Sequence, residues 1–135
     1  MIKTGGNIET DIYNLIAAKL KRIISGDVYK SDGREKNATT EDAVIIFTGG
    51  LDGQIQEGIV TVNIYIPDIE TGNKGAKVKD TKRCREIEAA LLTAIDETIT
   101  TEYELTRKSI IQTFAVNEIN QHFVNGKIQF KRVII

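Results

Sequence analysis

The stretch Gly58-Ile-Val-Thr-Val-Asn-Ile-Tyr-Ile-Pro67 predicts the strand on which the rest of the chain is built. In an extended conformation, aliphatic residues line one side and a mixed set lines the other, namely Val60, Val62, Ile64 and Ile66 against Ile59, Thr61, Asn63 and Tyr65. This alternation is typical of a β-strand with one face in a core and the other face partly covered. Pro67 has no N–H group for a strand ladder, so the strand is expected to end there.

A short apolar run at residues 43–48 precedes the main strand and predicts a second strand that is covered on both faces. Residues 49–53, Gly-Gly-Leu-Asp-Gly, join the two and predict an antiparallel hairpin in which residues 54–66 return. A phosphate-binding loop is the rival interpretation of these glycines. The turn is favoured because the glycines are followed neither by a helix that would direct N–H groups at an anion nor by a lysine.

An amphipathic helix is predicted at residues 7–25, where isoleucine and leucine recur at three- and four-residue spacing. Asn7 is its expected N-cap, because a side-chain oxygen there accepts a hydrogen bond from the first turn. Gly26 is the expected residue just after its end, where a left-handed backbone is common.

A second helix is predicted at residues 80–98, with Asp80 or Thr81 as its N-cap. Its apolar stripe is formed by Cys84, Ile87, Leu91, Ala94, Ile95 and Thr98. The first turn contains three cations, Lys82, Arg83 and Arg85. Cations at this end oppose the helix dipole, so the departure is either incidental or a sign that the arginines have an acidic partner.

The C-terminal third predicts a strand at residues 102–116 and then allows two registers. Asn125-Gly126 is a strong signal for a two-residue hairpin, which would fold the segment before it onto the segment after it. The alternative turns at residues 117–120 and continues as one strand over residues 121–133. We favour the long strand, because paired strands of equal length leave fewer backbone groups without partners.

The 135 residues predict one α+β domain, an antiparallel sheet of four to five strands with both helices packed on one face. The element order is α-(β)-β-β-α-β-β, where the bracketed element is a short edge strand at residues 27–30. Residues 1–6 are expected to be a flexible arm. Residues 31–42 and 68–80 are expected to be exposed loops, because they are polar and contain little to bury.

Composition limits the classes of function. The net charge is −1 without a basic half, which disfavours nucleic-acid binding because neutralising phosphates needs a concentrated cationic face. A single cysteine excludes an internal disulfide and fits a reducing compartment. No apolar run approaches the roughly 20 residues of a membrane span, and the first residues lack an apolar signal region. A cytoplasmic protein is therefore expected.

The residues that could carry chemistry are few. His122 is the single histidine, and a packed or surface role is favoured because no cysteine or carboxylate cluster lies close in sequence. Cys84 lies on the predicted buried stripe, where a free cysteine usually behaves as a small hydrophobe. Asp68 and Asp80 flank a flexible loop and would make a weak cation site. The sequence predicts no catalytic residue, no metal site and no cofactor.

Asn63 and Tyr65 lie on the less apolar face of the main strand. An amide and a tyrosine suit a surface that is half-buried by a second chain. The alternative is that one of the predicted helices covers them. The residues themselves leave both interpretations open.

The layout resembles the small tail-terminator and tail-completion proteins of tailed bacteriophages and prophages. Four segments carry this resemblance, Asp11-Ile-Tyr-Asn-Leu-Ile-Ala-Ala-Lys-Leu-Lys21, Glu41-Asp-Ala-Val-Ile-Ile46, the main strand 58–67 and Gln121-His-Phe-Val-Asn-Gly-Lys-Ile-Gln-Phe130. The likeness is one of length, element order and strand character, and covers most of the chain. The Asn125-Gly126 pair and the lysine-bearing loop depart from it.

The resemblance implies a non-enzymatic virion assembly protein that forms a ring, commonly a hexamer, at the head–tail junction. Its partners would be copies of itself, tail-tube proteins and neck proteins, without a membrane and without direct sequence-specific nucleic-acid binding. It would be cytoplasmic in the bacterial host and then part of the virion. Candidate residues for contacts between subunits are Arg34, Glu35, Lys36, Glu41 and Asp42 in the first loop, Asn63 and Tyr65 on the main strand, and Lys74, Lys77 and Lys79 in the second loop.

Two other functions compete with this expectation. One is a small ferredoxin-like domain that binds a ligand or regulates, acting as a dimer through a sheet edge or face. The other is an enzyme that uses His122 with a carboxylate brought to it by the fold.

Overall fold

The computed structural model describes residues 1–72, 75–116 and 118–133. In chain order its elements are α1 (Gly5–Lys21), β1 (Val28–Lys30), β2 (Asp42–Leu51), β3 (Ile55–Pro67), β4 (Ile69–Glu70), β5 (Lys77–Val78), α2 (Thr81–Asp96), β6 (Glu104–Arg107), β7 (Gln112–Ala115) and β8 (Gln121–Val133). The predicted α+β class, with two helices and a mostly antiparallel open sheet, is confirmed.

The main sheet has six strands rather than the predicted four or five. Its order is β1-β2-β3-β8, and both β6 and β7 pair with the outer side of β8. The predicted antiparallel hairpin is confirmed as β2 and β3. The edge strand β1 runs parallel to β2, so the sheet is mixed and the prediction of a purely antiparallel sheet is wrong at this edge.

The long-strand register is confirmed at the C-terminus. β8 pairs with β3 along its whole length, from Ile55 with Val133 to Pro67 with Gln121. Gly126 therefore lies in mid-strand, where a Cβ atom would come 2.8 Å from Leu91 Cδ2 on α2. Because Gly126 has no side chain, α2 can pack close to the sheet at this position, and the Asn125-Gly126 pair forms no turn.

The predicted strand at residues 102–116 is interrupted in the middle. Arg107 pairs with Ile128 and Gln112 pairs with Asn125, so four residues bridge a gap that spans two residues on β8. The insertion exposes Ile110, whose accessible fraction is 81%. It divides the predicted strand into β6 and β7.

The helix α1 begins earlier and ends earlier than predicted. Thr4, not Asn7, is its N-cap, and the Thr4 hydroxyl accepts a hydrogen bond from the N–H of Asn7. Gly5 lies within the helix, where a Cβ would come 2.7 Å from the Phe47 ring. The helix ends at Lys21, and Gly26 instead packs where a Cβ would come 2.1 Å from Asp42 Oδ1.

Both helices pack on one face of the sheet. On α2 the N-cap is Asp80, and the predicted apolar stripe is buried. The core joins both helices to the even-numbered residues of β3, and its largest fully buried side chains are Phe130, Ile12, Ile16, Leu20, Ile45, Ile64, Ile66, Ile87, Leu91 and Ile128. None of the helices among the described residues has both the length and the apolar character needed to cross a membrane.

The predicted loop at residues 68–80 contains the small hairpin of β4 and β5. Ile69 pairs with Val78 and Glu70 pairs with Lys77 across it. The apolar pair and the neighbouring ion pair, in which Lys77 Nζ lies 3.3 Å from Glu70 Oε1, stabilise these short strands. Both apolar side chains are exposed on the hairpin.

Candidate functional site

The strongest candidate site is the sheet face that points away from both helices, which we call the open face. The strand register places on it Val44, Ile46, Ile59, Thr61, Asn63, Tyr65, Gln112, Phe114, Phe123 and Asn125. Most of these side chains are half-buried, and the apolar ones among them lie on neighbouring strands, as at surfaces that contact other proteins.

An aromatic row crosses the open face over three strands. The ring centroids of Tyr65 and Phe123 are 5.7 Å apart, and those of Phe123 and Phe114 are 5.5 Å apart. The Arg34 guanidinium lies 4.3 Å from the Tyr65 ring centroid and extends the row onto the loop after β1. Phe114, at the outer end, is 42% exposed. Tilted rings at this spacing pack favourably, so the row is a preformed apolar surface.

A row of amides runs beside the aromatic row. Asn125 Nδ2 donates to Asn63 Oδ1 over 2.8 Å, and Gln112 is the next residue across on β7. The two asparagines therefore satisfy only part of their hydrogen-bonding capacity with each other. Because both helices lie on the opposite face, the interpretation that a helix covers Asn63 and Tyr65 is wrong.

The two edges of the sheet are less suited to pairing with another chain than its open face. At the β1 edge, the Tyr13 hydroxyl donates to the Val28 carbonyl, which points away from β2. At the other edge, the insertion at residues 108–111 separates β6 from β7. Blocked and interrupted edges resist strand addition, so the face is the better candidate for association.

Two predicted contact residues, Arg34 and Asp42, are paired with each other inside the chain. Arg34 Nε donates to Asp42 Oδ2 over 2.8 Å, and the two side chains are only 6% and 2% exposed. Arg34 also donates to the carbonyls of Ala38 and Thr40 and to Gln121 Oε1. We call this group the Arg34 clasp. It fixes the loop after β1 against the start of β8, and Asp42 is buried rather than exposed.

Glu41 is also buried and is the acidic partner of Arg83 on α2. Arg83 donates to both carboxylate oxygens, over 2.6 and 2.9 Å, and to the Ile23 carbonyl over 2.7 Å. The hydrogen bonds that Arg83 donates to Glu41 raise the pKa of Arg83 above its ordinary value. The cation at the start of α2 thus connects this helix to the segment after α1 and to the residue before β2.

The remaining predicted contact residues lie outside the open face or outside the described structure. Glu35 and Lys36 are exposed on the loop after β1. Lys77 is exposed on β5 of the small hairpin, where it lies 3.3 Å from Glu70, and Lys79 is exposed just after this strand. Lys74 lies outside the residues that the structure describes.

His122 does meet a carboxylate through the fold. Its Nδ1 atom lies 2.7 Å from Asp68 Oδ1, at the base of the small hairpin. Cys84 is buried on α2, and burial raises the pKa of its thiol, which disfavours the reactive thiolate. Within residues 1–72, 75–116 and 118–133, three or more potential metal ligands do not come together.

A polar cluster that sequence reasoning missed holds the first residues of the chain. Lys3 Nζ donates to Asp11 Oδ2 and lies 2.7 Å from Glu102 Oε2. The Tyr103 hydroxyl donates to the same Asp11 oxygen over 2.6 Å, and Arg132 Nε donates to Glu102 over 2.6 Å. These residues are far apart in sequence, so no local pattern marked them. Residues 3 and 4 are therefore anchored rather than part of a loose arm.

The free energy of unfolding is expected to fall as the pH drops below about 4.5, because three carboxylates bind protons less readily in the folded chain. Burial alone would raise the pKa of Asp11 and of Asp42, but hydrogen bonds, chiefly from Lys3 and from Thr40, lower both below the ordinary 3.8. Hydrogen bonds from Lys3 and Arg132 lower the pKa of Glu102 below 4.5. Depressed values stabilise the fold above the ordinary pKa, and this contribution is lost as the pH falls through the folded value.

Urea unfolding between neutral and acid pH measures this loss, and Asp11→Asn provides the comparison. The variant is expected to be less stable at pH 7 and to lose less stability on acidification, because one depressed carboxylate is gone. Equal pH dependence in both proteins would contradict the assignment.

Comparison with known proteins does not identify a function for this chain. The structure itself offers three features, namely the open face, the exposed charges on the two loops and the contact of His122 with Asp68. No known protein-family model matches the chain, and no curated protein matches its sequence.

Proposed function

We propose that this protein is a non-enzymatic assembly protein of a phage or prophage, a ring-forming tail terminator or tail-completion component at the head–tail junction. The observation that supports this most is the open face, where an aromatic row and an amide row lie half-buried on the central strands. Aromatic residues are enriched where a second protein chain completes the burial, and amides can supply hydrogen bonds across such an interface. The proposed occupant of this face is a neighbouring copy of the chain.

A ring also needs a second, different patch on each subunit, because head-to-tail contacts join unlike surfaces. The exposed charges of the two loops support such an arrangement. Glu35 and Lys36 lie on one loop, Lys77 lies on the small hairpin, and Lys79 lies just after it. Charges at the rim of an interface set register and association rate more than affinity. Tail-tube and neck proteins would then dock on the assembled ring.

Substituting Phe114 by serine is expected to weaken self-association about threefold to tenfold, since full burial of a phenylalanine contributes about 1.5–3 kcal/mol and only 42% of this side chain is exposed before association. Light scattering over a concentration series and negative-stain images, with and without tail-tube protein, measure the assembly. Ile99→Ser is the matched control, because Ile99 is 91% exposed and lies outside the open face. Circular dichroism checks that both variants keep the fold.

A protein that stays monomeric at high concentration and forms no ring with tail-tube protein would count against the proposal. Equal self-association of the Phe114→Ser and Ile99→Ser variants would exclude the open face as the contact surface between subunits. A stable dimer with a small-molecule thermal shift would instead favour the ligand-binding or regulatory alternative.

A further inference from the structure

The first four residues, which we call the strap, lie across the end of the sheet in a site built from side chains of distant elements. Gln56 comes from β3, Arg132 from β8, Asp11 from α1 and Glu102 from the segment before β6. Gln56 and Arg132 are only 2% and 8% exposed. Buried amide and guanidinium groups need hydrogen-bond partners, and the strap supplies partners to both in addition to those from Asp52 and Glu102.

Part of the site binds the backbone of the strap through hydrogen bonds. The N–H of Lys3 donates to Gln56 Oε1 over 3.1 Å, and Gln56 Nε2 donates back to the Lys3 carbonyl over 2.8 Å. Arg132 donates to the Met1 carbonyl and also contacts Gln56 Oε1. A side-chain amide that matches both the donor and the acceptor of one residue requires an extended peptide, as a strand partner would.

Another part of the site binds the Lys3 side chain. The ammonium group lies 2.7 Å from an oxygen of Asp11 and 2.7 Å from an oxygen of Glu102. Its hydrogen bond to Asp11 is the main reason why the pKa of Lys3 is raised. The Tyr103 ring lies 5.9 Å from the same nitrogen and adds a cation–π contact. By contrast Ile2 is 61% exposed, so the site recognises the backbone and the lysine.

We propose that this end of the sheet is a peptide-binding site, specific for an extended segment with lysine at its third position. Its ligand is the strap of this chain, and the same segment from a second copy can occupy the site when the chain's own strap is absent. The proposal does not depend on ring formation, because the recognising groups all lie within one chain.

The test uses a variant that lacks residues 1–3, released from a cleavable tag, and a fluorescent peptide Met-Ile-Lys-Thr-Gly-Gly-amide. The variant is expected to bind the peptide, measured by fluorescence anisotropy, whereas the full chain is expected not to bind because its site is occupied. Changing the lysine of the peptide to glutamate should weaken binding about tenfold to a hundredfold, the effect of losing charge-assisted hydrogen bonds. Changing its isoleucine to serine is the matched control and should leave affinity unchanged.

Loss of binding in the shortened variant with Gln56→Ala would support the backbone contacts. If the shortened variant fails to fold, the full-length Lys3→Glu variant replaces it, because its strap is repelled by Asp11 and Glu102 while the site is intact. A folded variant that ignores the peptide overturns the proposal, as does equal affinity for the lysine and glutamate peptides. If both variants are unfolded, the peptide must restore the circular dichroism of the fold, and failure to do so also overturns it.

Discussion

Replacing Asp42 by alanine is expected to lower the free energy of unfolding by about 3–5 kcal/mol, the usual cost of removing one partner of a buried ion pair. Asp42 accepts hydrogen bonds from the backbone N–H of Asp27, from Arg34 and from the Thr40 hydroxyl, over 2.9, 2.8 and 2.6 Å. Without it, the guanidinium of Arg34 stays buried with no opposite charge. Such a loss is a large share of the roughly 5–15 kcal/mol that stabilises an ordinary domain.

The control for this substitution is Asp27→Ala. Asp27 lies 3.4 Å from Lys21 in an ion pair whose side chains are more than half exposed, and alanine keeps the backbone N–H that Asp42 requires. Exposed pairs contribute about 0–1 kcal/mol. Urea unfolding of both variants measures the difference, and limited proteolysis of residues 31–41 shows whether the Arg34 clasp has opened. Similar small losses in both variants would show that the clasp does not stabilise the fold.

The elements that sequence patterns predict well are those whose pattern reflects burial against a continuous core. Alternation along β3 and the apolar stripe of α2 each record which side of the element meets the core. The pattern holds because a one-residue shift in strand register would expose several aliphatic side chains at once. For the same reason the hairpin of β2 and β3 was predictable from its two strands and its glycines.

Polar pairs between distant residues are not predictable in this way. Arg83 and Glu41 are 42 residues apart, and Lys3 and Glu102 are nearly a hundred apart. A charged residue in a polar loop has the same local sequence whether it faces solvent or a buried partner. The sequence therefore identified Arg34, Glu41 and Asp42 as surface charges, and only the tertiary arrangement shows that they hold the fold together.

Some irregularities of the strands do not change the alternation of apolar and polar residues along the sequence. The insertion between β6 and β7 adds two residues, and an even number returns every later side chain to its expected face. The Asn125-Gly126 pair shows the opposite failure, because a strong local turn signal is overridden by pairing along all of β3. The open face was anticipated in part from Asn63 and Tyr65, but its aromatic row depends on Phe114 and Phe123 reaching Tyr65 through that register.

Alanine at two glycine positions is expected to have opposite effects on stability. At Gly58 a Cβ would come 2.1 Å from the Gly49 carbonyl oxygen and 2.6 Å from the Gly50 Cα. These are backbone atoms of the paired strand, which bulges between Phe47 and Gly49 and cannot move aside as a side chain can. We expect Gly58→Ala to lower the free energy of unfolding by about 3 kcal/mol, at the upper end for overpacking.

Gly6→Ala is the matched substitution in the first turn of α1. A Cβ there meets no atom within 4 Å, and the residue is exposed. Alanine should therefore raise the free energy of unfolding by about 0.5–1 kcal/mol, because it loses less conformational freedom than glycine on folding. Urea titration of both variants measures the two changes. If Gly58→Ala were as stable as Gly6→Ala, the close approach of β2 to β3 at the bulge would be refuted, and with it the pairing of Gly50 with Gly58.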